Sequence, residues 1–270
     1  MRRLLLALCF VLVAAPASAT WSIIAVDART GEMVIASATC VPQAAFARFP
    51  AKGLMDVQAI VVPGRGAAVA QAAVDNTRKN QMLIYEELRK GTPPEEILAM
   101  LRSDPAIESR QFAIVNARGA SAGFSGERNG AVSLHRQGVI RAPARRIYYS
   151  IQGNILKSED VVTAAVSAFR SAPGVLTDKV MAAMEAADAK GGDRRCTCES
   201  LPKVDAPCSA KTAHVAYLLR ADRGNTTGVS YNDGKYTLYL SATDADITPA
   251  EDANPVRTLR MRYEAWKKAR

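Results

Sequence analysis

Thr20 is the residue whose type and position could do chemistry most directly. It follows Ala17-Ser18-Ala19, a small-residue pattern typical of signal-peptidase cleavage, and it precedes the apolar run WSIIAV. Cleavage after Ala19 would leave Thr20 with both a hydroxyl and a free α-amine. An α-amine has an ordinary pKa of about 7.7–8, so much of it can act as a base near neutral pH. One residue would then supply a nucleophile and the base that activates it.

The segment before Thr20 has the organisation of a secretory signal peptide. Arg2 and Arg3 provide its positive charge, and residues 4–15 form a continuous apolar run. A membrane anchor is the weaker interpretation, because a helix that spans a bilayer needs about 20 apolar residues. We expect residues 1–19 to be removed and residues 20–270 to form a single domain, periplasmic or secreted, without a stable membrane span.

The charge pattern argues against a nucleic-acid partner. The formal net charge is +9, from 35 Lys and Arg against 26 Asp and Glu. These basic residues are scattered along the chain and are not clustered among aromatic residues. We interpret them as a solvated surface, with at most a modest preference for an anionic substrate.

The cysteines predict disulfides. Four remain after the signal segment: Cys40, Cys196, Cys198 and Cys208. An even number in an exported chain favours bridges. Cys196 and Cys198 are separated by one residue, which would strain a bridge between them. We therefore expect Cys40 to pair with one of these two and Cys208 with the other. The alternative is a metal site of Cys196, Cys198, Cys208 and His214, but this spacing matches no strong zinc pattern, and we predict no metal.

Hydrophobic periodicity predicts a layered α+β domain. Apolar runs near the N-terminus predict two hairpins, the first over WSIIAVDA and MVIASATC and the second over DVQAIVVP and AAVAQAAV. Two helices, further strands, two helices, the last strands and a closing helix follow. This order favours two mainly antiparallel central sheets covered by helices.

The common catalytic motifs are absent from the sequence. It contains no GxSxG nucleophile elbow, no P-loop, no GxGxxG before a helix and no HExxH. His135 and His214 lie far apart, in predicted strands, and we interpret each as a structural or exposed histidine. We predict no organic cofactor.

Several longer stretches carry a family resemblance. TWSIIAVDARTGEMVIASA, GAAVAQAAVDN, YYSIQGNIL and GGDRR occur in this order, before a closing Asn-Pro helix. From Thr20 to about the last helix, the chain resembles the family catalogued as domain of unknown function 1028, whose members are similar to N-terminal-nucleophile hydrolases. The resemblance implies a four-layer αββα sandwich with a site at Thr20. Two stretches depart from the family pattern, the cysteine-bearing residues 196–208 and the long connection FPAKGLMDVQ.

Amide hydrolysis would require further groups around Thr20. Asn154 of SIQGN is our candidate donor to the oxyanion, although an Asx turn at this bend explains it equally well. Ser37, on the paired strand, could orient the amine. Lys52 could lower the pKa of the amine by repulsion between like charges, although a solvated lysine is the simpler interpretation.

The remaining candidates concern the substrate. Asp193 with Arg194 or Arg195 could bind a substrate carboxylate, the rival being a buried structural ion pair. Gln152 is a further substrate-binding candidate. The sequence thus favours an exported amidohydrolase acting on a small peptide, an amide or a cell-envelope fragment such as one derived from peptidoglycan. The alternative is a catalytically inactive binding or scaffold protein with the same fold. Nothing in the sequence predicts the oligomeric state.

Overall fold

A computed structural model of the protein describes residues 20–47, 53–143 and 145–270. The predicted signal segment, residues 1–19, and the candidate Lys52 lie outside the described residues. Within the described ranges, no helix combines the length and the apolar character that crossing a membrane requires.

In the part of the chain that the structure describes, the larger sheet has six strands, and every neighbouring pair in it is antiparallel. Its strands are β1 (Thr20–Asp27), β2 (Met33–Thr39), β7 (Leu134–Ala142), β8 (Arg145–Asn154), β9 (Val215–Ala221) and β10 (Leu238–Thr243). Their spatial order is β10-β9-β2-β1-β8-β7, which makes β1 and β2 the two central strands. The predicted first hairpin is β1 and β2.

The smaller sheet is also antiparallel. Its four strands are β3 (Ala59–Val62), β4 (Gly66–Ala72), β5 (Arg110–Asn116) and β6 (Ser121–Ser125), and they lie side by side in chain order. Short turns join β3 to β4 and β5 to β6, whereas residues 73–109 connect β4 to its neighbour β5. Because strands adjacent in the sequence are also adjacent in space, the sheet is an antiparallel meander.

Within the described residues, six α-helices accompany the sheets. They are α1 (Leu54–Gln58), α2 (Lys79–Lys90), α3 (Pro94–Leu101), α4 (Asp160–Ser171), α5 (Leu176–Ala189) and α6 (Pro255–Lys268). Short 3-10 helices cover Gln43–Phe46 and Ile107–Ser109. Local sequence sets two of the helix ends. Helix α2 stops at Gly91, which has φ +85°. The side chain of Asn254 caps the beginning of α6 by accepting the N–H of Val256 at 3.1 Å.

Three apolar cores define the layers. The first lies between α4, α5 and α6 and the larger sheet, the second between the two sheets, and the third between the smaller sheet and the helices α2 and α3. The order of layers is therefore helices, sheet, sheet, helices. The predicted α+β architecture with two antiparallel sheets covered by helices is confirmed.

Strand β1 is covered on both faces, and every one of its residues is buried. Trp21 and Ile23 belong to the core on the helix side, whereas Ile24 and Val26 belong to the core between the sheets. A strand buried on both faces needs no alternation of polar and apolar residues. This explains the continuous apolar run after Thr20, and it places Thr20 at the end of a central strand.

The second predicted hairpin needs one correction. The residues DVQ were expected to begin a strand, but they belong to α1, and β3 begins only at Ala59. Gly53, with φ +66°, precedes this short helix, and Leu54 and Val57 pack into the core between the sheets. Tertiary packing therefore overrides the strand propensity of this segment.

Candidate active site

Thr20 lies between two strands at one end of the larger sheet. It is opposite Thr39 of β2 on one side and opposite Asn154 of β8 on the other. Residues directly opposite each other in antiparallel strands have their side chains on the same face. The Thr20 side chain is buried, and its Oγ1 donates to Oγ1 of Thr39 over 3.3 Å. The fold thus brings together Thr20 and Asn154, two candidates that are distant in the sequence.

Gln71 of β4 holds Thr20 from the opposite sheet. Its Nε2 donates to the backbone carbonyl of Thr20 at 3.0 Å and to Oε1 of Gln111 at 2.7 Å. Its Oε1 accepts a hydrogen bond of 2.6 Å from the hydroxyl of Ser22. All four residues are buried, so these bonds satisfy polar groups that would otherwise be costly between two sheets.

Gln111 of β5 continues this network to β8. Its Nε2 donates to the carbonyl of Gly153 at 2.9 Å and to Oγ of Ser125 at 2.7 Å. Gly153 precedes Asn154, so Gln71 and Gln111 fix the backbone on both sides of the Thr20–Asn154 pair. Sequence reasoning missed both glutamines. The available signal was one glutamine in each of two largely apolar strands, GAAVAQA and RQFAIVN.

Gln152 lies in the same polar layer between the sheets. It is opposite Ser22 of β1 and His135 of β7, and it is fully buried. Neither Oε1 nor Nε2 of Gln152 has a hydrogen-bond partner among the described residues. The ring Nδ1 of His135 lies 3.0 Å from Oγ of Ser125, and burial, followed by the charge of Arg136, lowers the pKa of His135. Gln152 therefore offers a donor and an acceptor within a largely neutral environment.

Ser37 is hydrogen-bonded to Trp21, the residue that follows Thr20. Its hydroxyl donates to the backbone carbonyl of Trp21 at 2.7 Å, and its place in the register is opposite Ser22. In this arrangement the hydroxyl supports the strand beside the candidate nucleophile. A direct role in orienting the amine stays a prediction.

Asp193 and Arg195 of GGDRR form an ion pair in which only the Asp193 carboxylate is buried. Arg195 donates from Nε to Oδ1 at 3.1 Å and from an η nitrogen to Oδ2 at 2.8 Å, and Oδ2 also accepts the N–H of Cys40 at 3.0 Å. Asp193 is fully buried, whereas Arg194 is exposed. The carboxylate of Asp193 thus anchors the loop to the end of β2. Substrate binding by these three residues stays a prediction.

The two disulfides settle the pairing that the sequence left open. Cys40 is bonded to Cys196, with Cα atoms 5.6 Å apart, and Cys198 to Cys208, with Cα atoms 5.9 Å apart. Because Thr39 is opposite Thr20, the bridge from Cys40 holds the GGDRR loop beside the Thr20 end of the sheet. The stretch from Cys198 to Cys208 is a bridged loop, as predicted.

His214 lies next to this bridge, immediately before β9 rather than within a strand as predicted. One ring nitrogen lies within 4.8 Å of the sulfur atoms of Cys40 and Cys196. Those sulfur atoms are bonded to each other, so they are not thiolate ligands. Burial, followed by the charges of Lys211 and Arg195, lowers the pKa of His214 to about 4. The imidazole is therefore neutral near pH 7.

The space beside Thr20 is small. A cavity of about 20 Å³, room for about one water molecule, is lined by Thr20, Thr39 and Gln71 and covered by Phe46, Leu54 and Val57. A larger cavity of about 570 Å³ lies further along, between the beginning of α2 and the end of α3. Residues from Ala70 to Asp75 separate the two cavities.

Gln71 and Asn154, which flank Thr20, are each followed by a residue with positive φ. Ala72, after Gln71, has φ +69°, and Ile155, after Asn154, has φ +51°. A residue other than glycine in this region costs about 1–3 kcal/mol and persists only where its surroundings enforce it. The backbone at both strand ends is therefore held in a conformation that local preference disfavours.

The fold and the site define a class of protein: two antiparallel sheets between helical layers, with a buried threonine at the end of a central strand. The chain belongs to the family described as "Family of unknown function (DUF1028)", whose model matches residues 20–225. The predicted family is thus confirmed.

A solved structure supports the same fold. The chain is similar to the crystal structure of protein SPO2555 from Silicibacter pomeroyi, itself assigned to DUF1028, with a TM-score of 0.60 and 20% sequence identity over 92% of this chain and 89% of that chain. At this identity the likeness shows the fold alone. A comparison with curated proteins finds no match.

Proposed function

We propose that this protein is an exported amidohydrolase of the N-terminal-nucleophile type, with Thr20 as the first residue of the mature chain. The observation that carries the proposal is the position of Thr20, at the end of a central strand, opposite Asn154 and bonded through its carbonyl to Gln71. Such restraints hold a nucleophile in one geometry, which lowers the entropic cost of reaching the transition state. The two disulfides support export, because such bridges persist in oxidising compartments outside the cytosol.

The reaction follows from the two functional groups of an N-terminal threonine. Oγ1 of Thr20 attacks the carbonyl carbon of an amide, and the proton of the hydroxyl passes to the α-amine. The tetrahedral intermediate collapses when the C–N bond breaks and the leaving nitrogen takes this proton from the ammonium group. Water, deprotonated by the same amine, then hydrolyses the acyl ester and releases Thr20.

Asn154 is the proposed donor to the oxyanion. It is opposite Thr20 in the register and fully buried. A preorganised donor in a buried site stabilises the negative charge that develops on the carbonyl oxygen. Gln152, whose amide atoms have no partner among the described residues, is the proposed contact for the peptide group of the substrate.

The larger cavity is the proposed recognition site. Its walls combine Leu83 and Ala106 with the exposed cation Lys79, while the carboxylate of Asp104 already accepts hydrogen bonds from Arg110 and Asn80. The carboxylate of Asp75, which accepts hydrogen bonds from the neutral residues Thr77 and Asn80, lines the same cavity, so the charges of the lining balance. An apolar wall beside charges of both signs favours an amide that carries an apolar side chain and a charged group. Small peptides, including cell-envelope fragments, belong to this class. The substrate reaches Thr20 when the cover at Phe46 or residues 73–75 are displaced, while Gln71 keeps its hydrogen bond to Thr20.

Covalent labelling of the exported protein tests the proposal. The mature chain is treated with a β-lactone, and the labelled peptide is identified by mass spectrometry. We expect a single acyl group on Thr20 and an intact mass that corresponds to a chain whose first residue is Thr20. Thr163→Ala, at an exposed position of α4, should be labelled normally, whereas Thr20→Ala should not be labelled. Equal labelling of these two variants, or a mature chain that retains Ser18 and Ala19, would refute the proposal.

A further inference from the structure

Three backbone turns and the end of α2 meet at the end of the smaller sheet that is remote from Thr20. A cavity of about 230 Å³ lies there, bordered by Arg65, Arg118 and Arg223. Arg65 is in the turn between β3 and β4, Arg118 in the turn between β5 and β6, and Arg223 in the segment after β9. Among the residues that the structure describes, no Asp or Glu lines the cavity.

The three guanidinium groups have no counter-ion within the part of the chain that the structure describes. Arg118 donates only to the carbonyl of Gly91, at 3.2 Å, and Arg223 only to the carbonyl of Arg29, at 3.3 Å. No side-chain hydrogen bond or ion pair of Arg65 is found among the described residues. Three like charges around one cavity repel one another, and a bound anion would remove that repulsion.

Nearby carboxylates are engaged elsewhere. Glu87 accepts hydrogen bonds from Lys90 and Thr92, each at 2.6 Å. Asp222, the neighbour of Arg223, accepts from Arg220 at 2.9 Å. These acids therefore leave the positive charge of the cavity in place.

Asn116 adds an amide donor to the same wall. Only 6% of its surface is exposed. Its Oδ1 accepts the backbone N–H groups of Arg118 at 3.1 Å and Ala120 at 2.9 Å, whereas its Nδ2 has no partner among the described residues. Nδ2 is not enclosed by the protein, so it is accessible to a molecule in the cavity. An anion in the cavity would supply the missing acceptor.

We infer that this cavity binds a phosphate group, either free or as a phosphate ester. Planar guanidinium groups on three separate turns, together with an amide, present more donors than the two oxygens of a carboxylate can accept. A tetrahedral phosphate has three or more acceptor oxygens and forms charge-assisted bonds with arginine. The cavity lies beside the beginning of β4, whereas Gln71 and Ala72 are at the end of this strand. At about 3.4 Å per residue, the two ends are about 20 Å apart. The inference therefore does not depend on the proposed chemistry at Thr20.

Calorimetric titration of the mature chain with inorganic phosphate, and separately with glycerol 3-phosphate, tests this inference at constant ionic strength. We expect saturable binding at one site. Arg118→Gln and Asn116→Asp should each weaken it at least about tenfold, because each removes a bond to a charged ligand. Asn116→Asp retains Oδ1 for the two backbone N–H groups, so the turn should be preserved. Tighter binding of the ester would identify a phosphorylated molecule as the ligand, and tighter binding of phosphate would identify the free ion.

Arg141→Gln is the matched control, since it removes the same charge from an exposed arginine of β7. It should bind phosphate as the unaltered protein does. Equal weakening by Arg141→Gln and Arg118→Gln would show that only net charge matters, and this would overturn the inference. Absence of saturable binding of both ligands to the unaltered protein would overturn it as well.

Discussion

Nε2 of Gln71 lies 3.0 Å from the backbone carbonyl oxygen of Thr20, so a side chain of the smaller sheet fixes the end of the central strand in the larger one. The same nitrogen donates to Gln111, whose own amide reaches Gly153. The position of Thr20 is thus set by contacts across the sheets as well as within its own sheet.

Replacing Gln71 should therefore damage both stability and the site. Gln71→Leu leaves the hydroxyl of Ser22, the carbonyl of Thr20 and Oε1 of Gln111 without their partner. We expect a loss of about 2–4 kcal/mol in the free energy of unfolding, measured in urea. Gln58→Leu, which removes one hydrogen bond to Tyr217, should cost less and is the matched control. Equal losses in the two variants would contradict a central role for Gln71.

Extending the mature chain by one residue should abolish β-lactone labelling of Thr20. The extension converts the basic amine into an amide, which does not accept a proton at neutral pH, while the hydroxyl stays in place. Thr20→Ser keeps both groups and should be labelled more slowly than the unaltered protein. Labelling rates are measured by intact mass. Normal labelling of the extended chain would exclude the amine as the base.

Phe46→Ala should accelerate labelling of Thr20. Phe46 is 6% exposed and lies over the small cavity that contains Thr20. Its removal enlarges that cavity and should also lower the free energy of unfolding by about 3–5 kcal/mol. Phe169→Ala, buried in the core on the helix side, should cost similar stability without accelerating labelling. Equal acceleration in both variants would attribute the effect to general loosening.

The two disulfides should contribute unequally to stability. The bridge between Cys40 and Cys196 spans 156 residues, whereas the bridge between Cys198 and Cys208 spans 10. The chain-entropy argument gives about 5 kcal/mol for the first and about 3 kcal/mol for the second. Thermal and urea unfolding of the two double Cys→Ala variants measures the difference. A greater loss from the short bridge would show that local packing, not loop closure, dominates.

Stability should fall as the pH decreases from about 6.5 towards 4, in part because of His214. Its pKa is about 4 in the folded protein, whereas an unfolded histidine titrates near 6.5, so the unfolded state binds more protons in this window. Each pH unit then lowers the free energy of unfolding by at most about 1.4 kcal/mol through this group.

His214→Asn isolates this contribution. Its free energy of unfolding, measured in urea at several pH values between about 7 and 5, should depend less steeply on pH than that of the unaltered protein. His135, whose pKa is also lowered, is present in both proteins and cancels from the comparison. Identical slopes would show that His214 is protonated as readily in the folded state as in the unfolded state.

The sequence by itself determined the family, the α+β class and most of the strands. The runs WSIIAVDA and MVIASATC are long and apolar because β1 and β2 are buried on both faces, and this pattern is readable without coordinates. The parity and spacing of the cysteines likewise predicted two bridges and excluded one of the three pairings. These features are local, or depend only on counting.

Only the tertiary structure decided which groups meet. Gln71 and Gln111 reach Thr20 and Gly153 from another sheet, and no local pattern marks such contacts. The helix α1 formed where a strand was expected, because Leu54 and Val57 fill the core between the sheets. The choice between Cys196 and Cys198 as the partner of Cys40 likewise depended on where the GGDRR loop meets the end of β2. Hydrogen bonds and packing between residues distant in the sequence are set by the global arrangement of the chain, so they appear only when its layers are assembled.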